Sequence, residues 1–193
     1  MTDTARQRGH LYVVSGPSGT GKGTVLAALI KRHPELWFSV SVTTRSARPG
    51  EREGHEYHFI SLKAFEQLIT DDGLLEWARV YDQYYGTPRA PIEEHLDRGV
   101  DCVLDIDVQG ALQVHERMPE ALLVFLEPPS LEVLRERLRK RGTESTAEIA
   151  RRLACAADEM KQESVYNHIL VNVSVEETVA RLEAIIAASR PKE

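Results

Sequence analysis

Residues 16–24 read Gly-Pro-Ser-Gly-Thr-Gly-Lys-Gly-Thr, four glycines and three hydroxyl residues around one lysine. Glycine has no Cβ, so successive backbone N–H groups can curl around an anion. Lys22 adds a full positive charge. The apolar run Leu11 to Val14 precedes this turn, and a helical pattern with Val25, Leu26, Leu29 and Ile30 on one face follows it, ending before Pro34. A strand, a glycine turn and a helix N-terminus together hold phosphate groups. The spacing predicts a nucleoside triphosphate site. A hydroxyl directly after the loop lysine is the usual magnesium ligand; here Gly23 intervenes and the hydroxyl comes at Thr24.

Other residues could complete a phosphate-transfer site. Arg45 and Arg48 follow an apolar-polar alternation, Phe38 to Thr43. Two guanidinium forks three residues apart can grip one phosphate, or can form a solvated basic turn. Asp105 and Asp107 end the apolar run from Cys102, two apart and so on one face of a strand. At the C-terminal end of a parallel strand they could organise Mg²⁺ and its waters, or simply cap the strand. Glu76 lies inside Leu74-Leu-Glu-Trp77, where a carboxylate must be paired, meet a ligand or face solvent. Arg137 and Arg141 are one helical turn apart, and Arg151 and Arg152 follow a polar break. They could close over a phosphoryl group or line a charged helix surface. His55 and His58 have no Cys or Asp at metal-ligand spacing, and no Ser/His/Asp nucleophile pattern stands out.

Strands at 11–15, 102–107, 121–126 and 168–172 must position these groups, with helices at 22–33, 89–98, 109–117, 130–140, 146–164 and 175–188. Continuous apolar strands read as a parallel sheet covered on both faces, an α/β three-layer fold. Residues 37–87 read as a small mixed sheet with strands near 38–43, 57–60 and 74–80 and a helix near 62–70. Ser130 and Ser145, the latter with Glu148, mark helix starts.

Composition narrows the function. The 193 residues are 42% hydrophobic and 28% charged, ordinary for one globular domain. A net charge of −6 argues against nucleic acid as a partner. No apolar run spans a membrane and the polar N-terminus has no signal-peptide core, so a cytoplasmic protein is expected. Cys102 and Cys155 read as small buried residues in a reducing compartment. Oligomeric state is left open.

In this order, Val14 to Lys22, Ser41-Val-Thr-Thr-Arg-Ser-Ala-Arg48, Gly54-His-Glu-Tyr-His-Phe59, Leu75-Glu-Trp-Ala78, Tyr84-Tyr-Gly-Thr87, Leu104-Asp-Ile-Asp-Val-Gln-Gly110 and Arg139-Lys-Arg-Gly-Thr-Glu144 resemble the guanylate kinase family. The resemblance implies an ATP:GMP phosphotransferase of the P-loop fold, acting also on dGMP, with Mg²⁺ entering with ATP. It implies a core of residues 10–36, 90–138 and 154–190, a GMP-binding insertion at 37–89 and a lid at 139–153; the polar composition of residues 1–9 itself reads as a disordered tail. By the same resemblance, Gly16, Pro17, Ser18, Gly19, Thr20, Gly21, Lys22, Gly23 and Thr24 hold the ATP phosphates, and Asn172 lies near the adenine. Ser41, Glu76, Thr87 and Asp107 contact guanine. Arg45, Arg48, Tyr57 and Tyr85 hold the GMP phosphate. Lys22, Arg45, Arg137, Arg141 and Arg152 serve the transferring group. From the residues themselves, Asp105, through water, and Thr24 are the candidate metal ligands. Many members carry Ser after the loop lysine, and Ser also occurs where this chain has Thr87. Two other readings stay open. One is a non-catalytic module of the same fold, whose phosphate loop is ordinarily degraded. The other is a kinase acting on AMP or UMP.

Overall fold

The computed structural model describes residues 7–80, 82–141 and 145–190, without the side chain of Arg141. Among them are nine strands and seven α-helices. β1 (Leu11–Ser15), β2 (Trp37–Phe38), β7 (Cys102–Asp105), β8 (Leu122–Glu127) and β9 (His168–Val171) form one sheet in the order β2-β7-β1-β8-β9. The β2–β7, β1–β8 and β8–β9 pairs are parallel. Cys102 N–H donates to His10 O (2.8 Å) and Ile106 N–H to Val14 O (3.3 Å), continuing that direction across β7 and β1. Leu11–Val14, Cys102–Leu104 and Leu123–Leu126 are all buried, as strands covered on both faces must be. Each such Leu or Val stabilises the fold by roughly 1.5–3 kcal/mol relative to exposure.

A second sheet has the order β4-β3-β6-β5, from β3 (Val42–Thr43), β4 (His58–Phe59), β5 (Leu74–Val80) and β6 (Gln83–Pro88). It is mixed, with β3–β4 parallel and β3–β6 and β5–β6 antiparallel. Its core is Val42, Phe65 and Leu74, with Trp77 and Tyr84 against them. Phe65 comes from α2 (Leu62–Thr70), whose start is fixed by the Ser61 hydroxyl accepting from Ala64 N–H (3.2 Å).

By their internal contacts the described residues divide into two compact units. One comprises the residues up to Leu11, Leu36–Leu104 and Gln109–Ala121. The other comprises Tyr12–Glu35, Asp105–Val108 and the residues from Leu122 on. The second holds α1 (Lys22–Arg32), α5 (Leu131–Arg141), α6 (Thr146–Glu159) and α7 (Val175–Ser189). Leu134 and Leu138 of α5 pack with Ile149 and Ala156 of α6. Ser145 and Glu148 form the expected reciprocal cap at the start of α6, and Val133 N–H donates to the Ser130 hydroxyl at the start of α5. No described helix is long and apolar enough to cross a membrane.

Four local expectations change. The alternation from Phe38 to Thr43 is not one strand. β2 and β3 join different sheets, and alternation alone cannot show where a chain changes partners. β7 stops at Asp105, so Asp107 leaves the strand and directly precedes α4 (Val108–Arg117). The helix expected to reach 164 tightens into a 3₁₀ turn at Met160–Val165. Cys102 is buried, but Cys155 is exposed on α6.

Candidate active site

Two groups of residues gather, one in each unit. In the second unit the phosphate loop links β1 to α1. Gly16, Gly19 and Gly21 all take positive φ, at 137°, 96° and 97°. At Gly16 the requirement is absolute, because a Cβ there would stand 2.2 Å from the backbone oxygen of Leu126. Gly21 ends the loop in the left-handed region, and α1 begins at Lys22. Lys22 Nζ donates to Gly16 O (2.6 Å), so the ammonium is folded back over the turn.

Gly23 behaves differently from the loop's other glycines. A Cβ there would meet nothing within 4 Å, and its φ is an ordinary one. The Gly23-Thr24 departure is therefore not forced by packing. Gly23→Ser is expected to leave Tm unchanged to within about 2 °C, whereas Gly16→Ala should lower it by about 5 °C or more. Paired thermal melts check this, and equal melts would remove the clash as an explanation of Gly16.

The loop is braced from α5, α6 and the end of β9. Arg137 donates to Thr20 O (2.9 Å) and to Asn172 O (2.9 Å). The Asn172 side-chain amide donates to Thr20 O (2.7 Å), and its oxygen accepts from the Thr178 hydroxyl (3.0 Å). Arg152 donates to the Ser18 hydroxyl (2.5 Å). Arg137, Asn172 and Arg152 are thus brought to the loop, with Arg137 and Asn172 committed to its backbone. The side chain of Arg141 and residues 142–144 lie outside the described residues.

Three carboxylates surround this end of the second unit. Burial raises the pKa of Asp105, and the charge of Lys22 opposes the rise. Burial also raises Glu159, with Lys22 opposing and Asp107 reinforcing. Glu159 was not foreseen. It ends α6 seven residues after Arg152, which places the two on one helix face. Burial pushes the Tyr166 hydroxyl up to about 12, and that hydroxyl donates to the Ser15 hydroxyl (3.1 Å). Among the described residues no group of three or more His, Cys, Asp or Glu could hold a metal unaided.

The first unit holds the other group. Glu76 is 6% exposed. It is aimed inward by a break in strand register. β5 and β6 pair Leu74 with Pro88 and Glu76 with Thr87, leaving Leu75 as an extra residue. Pro88 has no N–H to donate, and a bulge accommodates this. Leu74, Leu75 and Glu76 are consequently all buried, which strict alternation forbids. Thr87 Oγ1 donates to Glu76 Oε1 (2.5 Å), and Ser41 Oγ lies 3.5 Å from Thr87 Oγ1. Upstream, Asp72 takes φ 51° at the turn into β5, and its carboxylate is held by Arg89 (3.0 Å) and Arg117 (3.1 Å).

Beside this cluster, the Arg45 guanidinium lies 5.5 Å from the Tyr57 ring centroid and 5.8 Å from that of Phe59. The Tyr57 and Tyr85 rings meet edge-on at 5.8 Å. Arg45 is also held by Glu51, a residue the sequence reading passed over. Arg48 is exposed and joins the group through its backbone. Asp107, expected with Glu76, belongs to the second unit and is exposed.

The guanylate kinase family model matches residues 8–189. A guanylate kinase of Caldanaerobacter subterraneus subsp. tengcongensis is 47% identical over 185 residues, covering 96% of this chain and 90% of that protein. One of Gloeobacter violaceus is 50% identical over 184 residues, covering 95% and 90%. The crystal structure of guanylate kinase from Anaplasma phagocytophilum matches with a TM-score of 0.79 at 35% identity, covering 97% of this chain and 89% of that one.

Proposed function

The chain belongs to the guanylate kinase family and uses ATP to phosphorylate GMP to GDP; from that premise we propose which residues carry each half of the reaction. Gly16 to Thr24 hold the ATP phosphates, and Lys22 supplies the charge that follows the transferring group. Arg137 and Arg152 serve that group, with Arg137 and Asn172 also fixing the loop near the adenine; the family resemblance adds Arg141, whose side chain lies outside the described residues. Arg45, Arg48, Tyr57 and Tyr85 hold the GMP phosphate. Ser41, Glu76 and Thr87 read guanine. Residues 37–89 form the acceptor insertion, 139–153 the lid, and 10–36, 90–138 and 154–190 the core.

The buried Glu76 carboxylate, hydrogen-bonded to Thr87, carries the acceptor assignment. Guanine presents N1–H and N2–H₂ donors on its Watson–Crick edge, and a carboxylate only accepts. Adenine has an unprotonated N1 and no N2 amine, so it would offer the same carboxylate no donor at these positions.

The acceptor oxygen of GMP is already anionic, so transfer needs no strong general base. It needs positioning and charge neutralisation in line with the leaving oxygen. Mg²⁺ needs only one or two protein oxygens besides nucleotide phosphates, and half-buried Asp105 with exposed Thr24 fits that requirement. Asp105, through water, and Thr24 would hold the ion, which supplies neutralisation of the phosphate oxygens when bound.

A coupled assay of ADP formation tests the reading. Turnover is expected with ATP, Mg²⁺ and GMP, to be abolished by EDTA and to return with excess Mg²⁺. dGMP in place of GMP shows whether the ribose 2′-hydroxyl is needed. No ADP with GMP, or an undiminished rate in EDTA, would overturn it.

A further inference from the structure

Glu51 is where the structure goes beyond the motif residues. Its carboxylate meets the Arg45 guanidinium end-on, with Nη1 donating to Oε2 (2.8 Å) and Nη2 to Oε1 (2.9 Å). Oε2 also accepts from the backbone N–H of Arg48 (2.7 Å). One carboxylate therefore ties together the two arginines of the loop. Both members of the ion pair are mostly buried, at 14% and 18% side-chain exposure. Arg45 and the Arg48 N–H together pull the Glu51 carboxyl down to about 2, so it is charged throughout the physiological range.

Counting donors shows what this arrangement does to Arg45. A guanidinium has five N–H groups. Nη1 spends both of its own, on Glu51 and on Ser46 O (2.8 Å), and Nη2 spends one on Glu51. The two not used by Glu51 or Ser46 are Nε–H and the second Nη2–H, side by side on one edge of the planar group, and the Tyr85 hydroxyl is a further hydrogen-bond partner of the guanidinium. That edge is itself a two-pronged fork of the kind that meets two phosphate oxygens. Tyr57 and Phe59 pack against the guanidinium and limit its swing.

We propose that Glu51 is a positioning residue for the acceptor phosphate: by occupying the end edge of Arg45 it fixes the Nε/Nη2 edge as the one that grips the phosphate, and through the Arg48 N–H it sets the second arginine in register. This rests on the reading that Arg45 holds the GMP phosphate. The Glu51 carboxylate is itself taken up by Arg45 and the Arg48 N–H. It gives up part of the site's positive charge in exchange for a preset geometry, which reduces the ordering needed on binding.

Glu51→Gln keeps the shape, removes the charge and turns one acceptor into a donor facing Arg45. In steady-state assays, KM for GMP should rise about tenfold or more, the size of a lost charge-assisted contact. KM for ATP should change by less than about twofold. So should the inhibition constant of guanosine, which offers the same base with no phosphate. Arg45→Lys should raise KM for GMP as well, and the double variant should lose less than the product of the two single effects, because Glu51 acts in part through Arg45. Glu51→Asp, which keeps the charge on a shorter arm, should recover part of the loss. An unchanged or lowered KM for GMP in Glu51→Gln, with Arg45→Lys impaired, would overturn the role of Glu51. So would a parallel loss of guanosine and ATP affinity, which marks general damage to the fold. An unimpaired Arg45→Lys would instead overturn the underlying reading of Arg45.

Discussion

Lys22→Ala is expected to lower kcat by about 10³-fold or more while the protein still folds. Removing a single fixed hydrogen-bond donor from a site of developing negative charge costs about 10²–10³ in rate, and Lys22 contributes a full charge besides. The fold should survive because Lys22 starts α1 at its exposed end, and its hydrogen bond goes to the loop's own Gly16 carbonyl. Losing the ammonium also removes the positive charge that opposes the raised pKa of Asp105 and of Glu159. Their pKa values should climb further. Circular dichroism and a thermal melt establish folding, and a coupled assay under saturating ATP and GMP measures kcat. Turnover within about tenfold of the native rate would remove Lys22 from the transfer step.

The second large effect is at Glu76. Glu76→Gln replaces a pure acceptor by an amide that presents a donor toward guanine's own donors. kcat/KM for GMP should fall by about 10²–10³, since a buried donor left without an acceptor loses more than the bond itself. Stability should hold or improve. The substitution removes a charge from a site that is 6% exposed, and the Thr87 hydroxyl can still donate to the amide oxygen. A melt that falls sharply, with GMP and ATP kinetics lost together, would mean that Glu76 serves the β5–β6 pairing and not the base.

The phosphate loop was readable from sequence because its physics is local. An apolar strand, glycines and a helix start lie within about twenty residues of each other, and each constrains its own backbone. The central strands were readable because burial on both faces leaves continuous apolar runs. The second sheet was legible in outline only. β6 (Gln83–Pro88) was not foreseen, because Gln83-Tyr-Tyr-Gly-Thr-Pro88 contains two residues of low strand propensity and no clean alternation. The inward aim of Glu76 depends on the bulge opposite Pro88, a relation between two strands that neither shows alone. Glu51 escaped notice for a related reason. An acidic residue in a polar loop looks like solvent-facing charge until the chain's turn brings it to Arg45. Glu159 is placed by the length of α6 and the folding of that helix beside the loop, information spread over more than a hundred residues.

The most direct test is the ratio of kcat/KM for GMP to that for AMP, measured with ATP in one coupled assay on the native protein and on Glu76→Gln. The native ratio should be about 10⁴ or greater, and it should collapse in Glu76→Gln through loss of the GMP reaction. A native protein that phosphorylates AMP within about tenfold of GMP, or a Glu76→Gln variant that keeps the native ratio, would contradict the assignment of Glu76 as the residue that selects guanine.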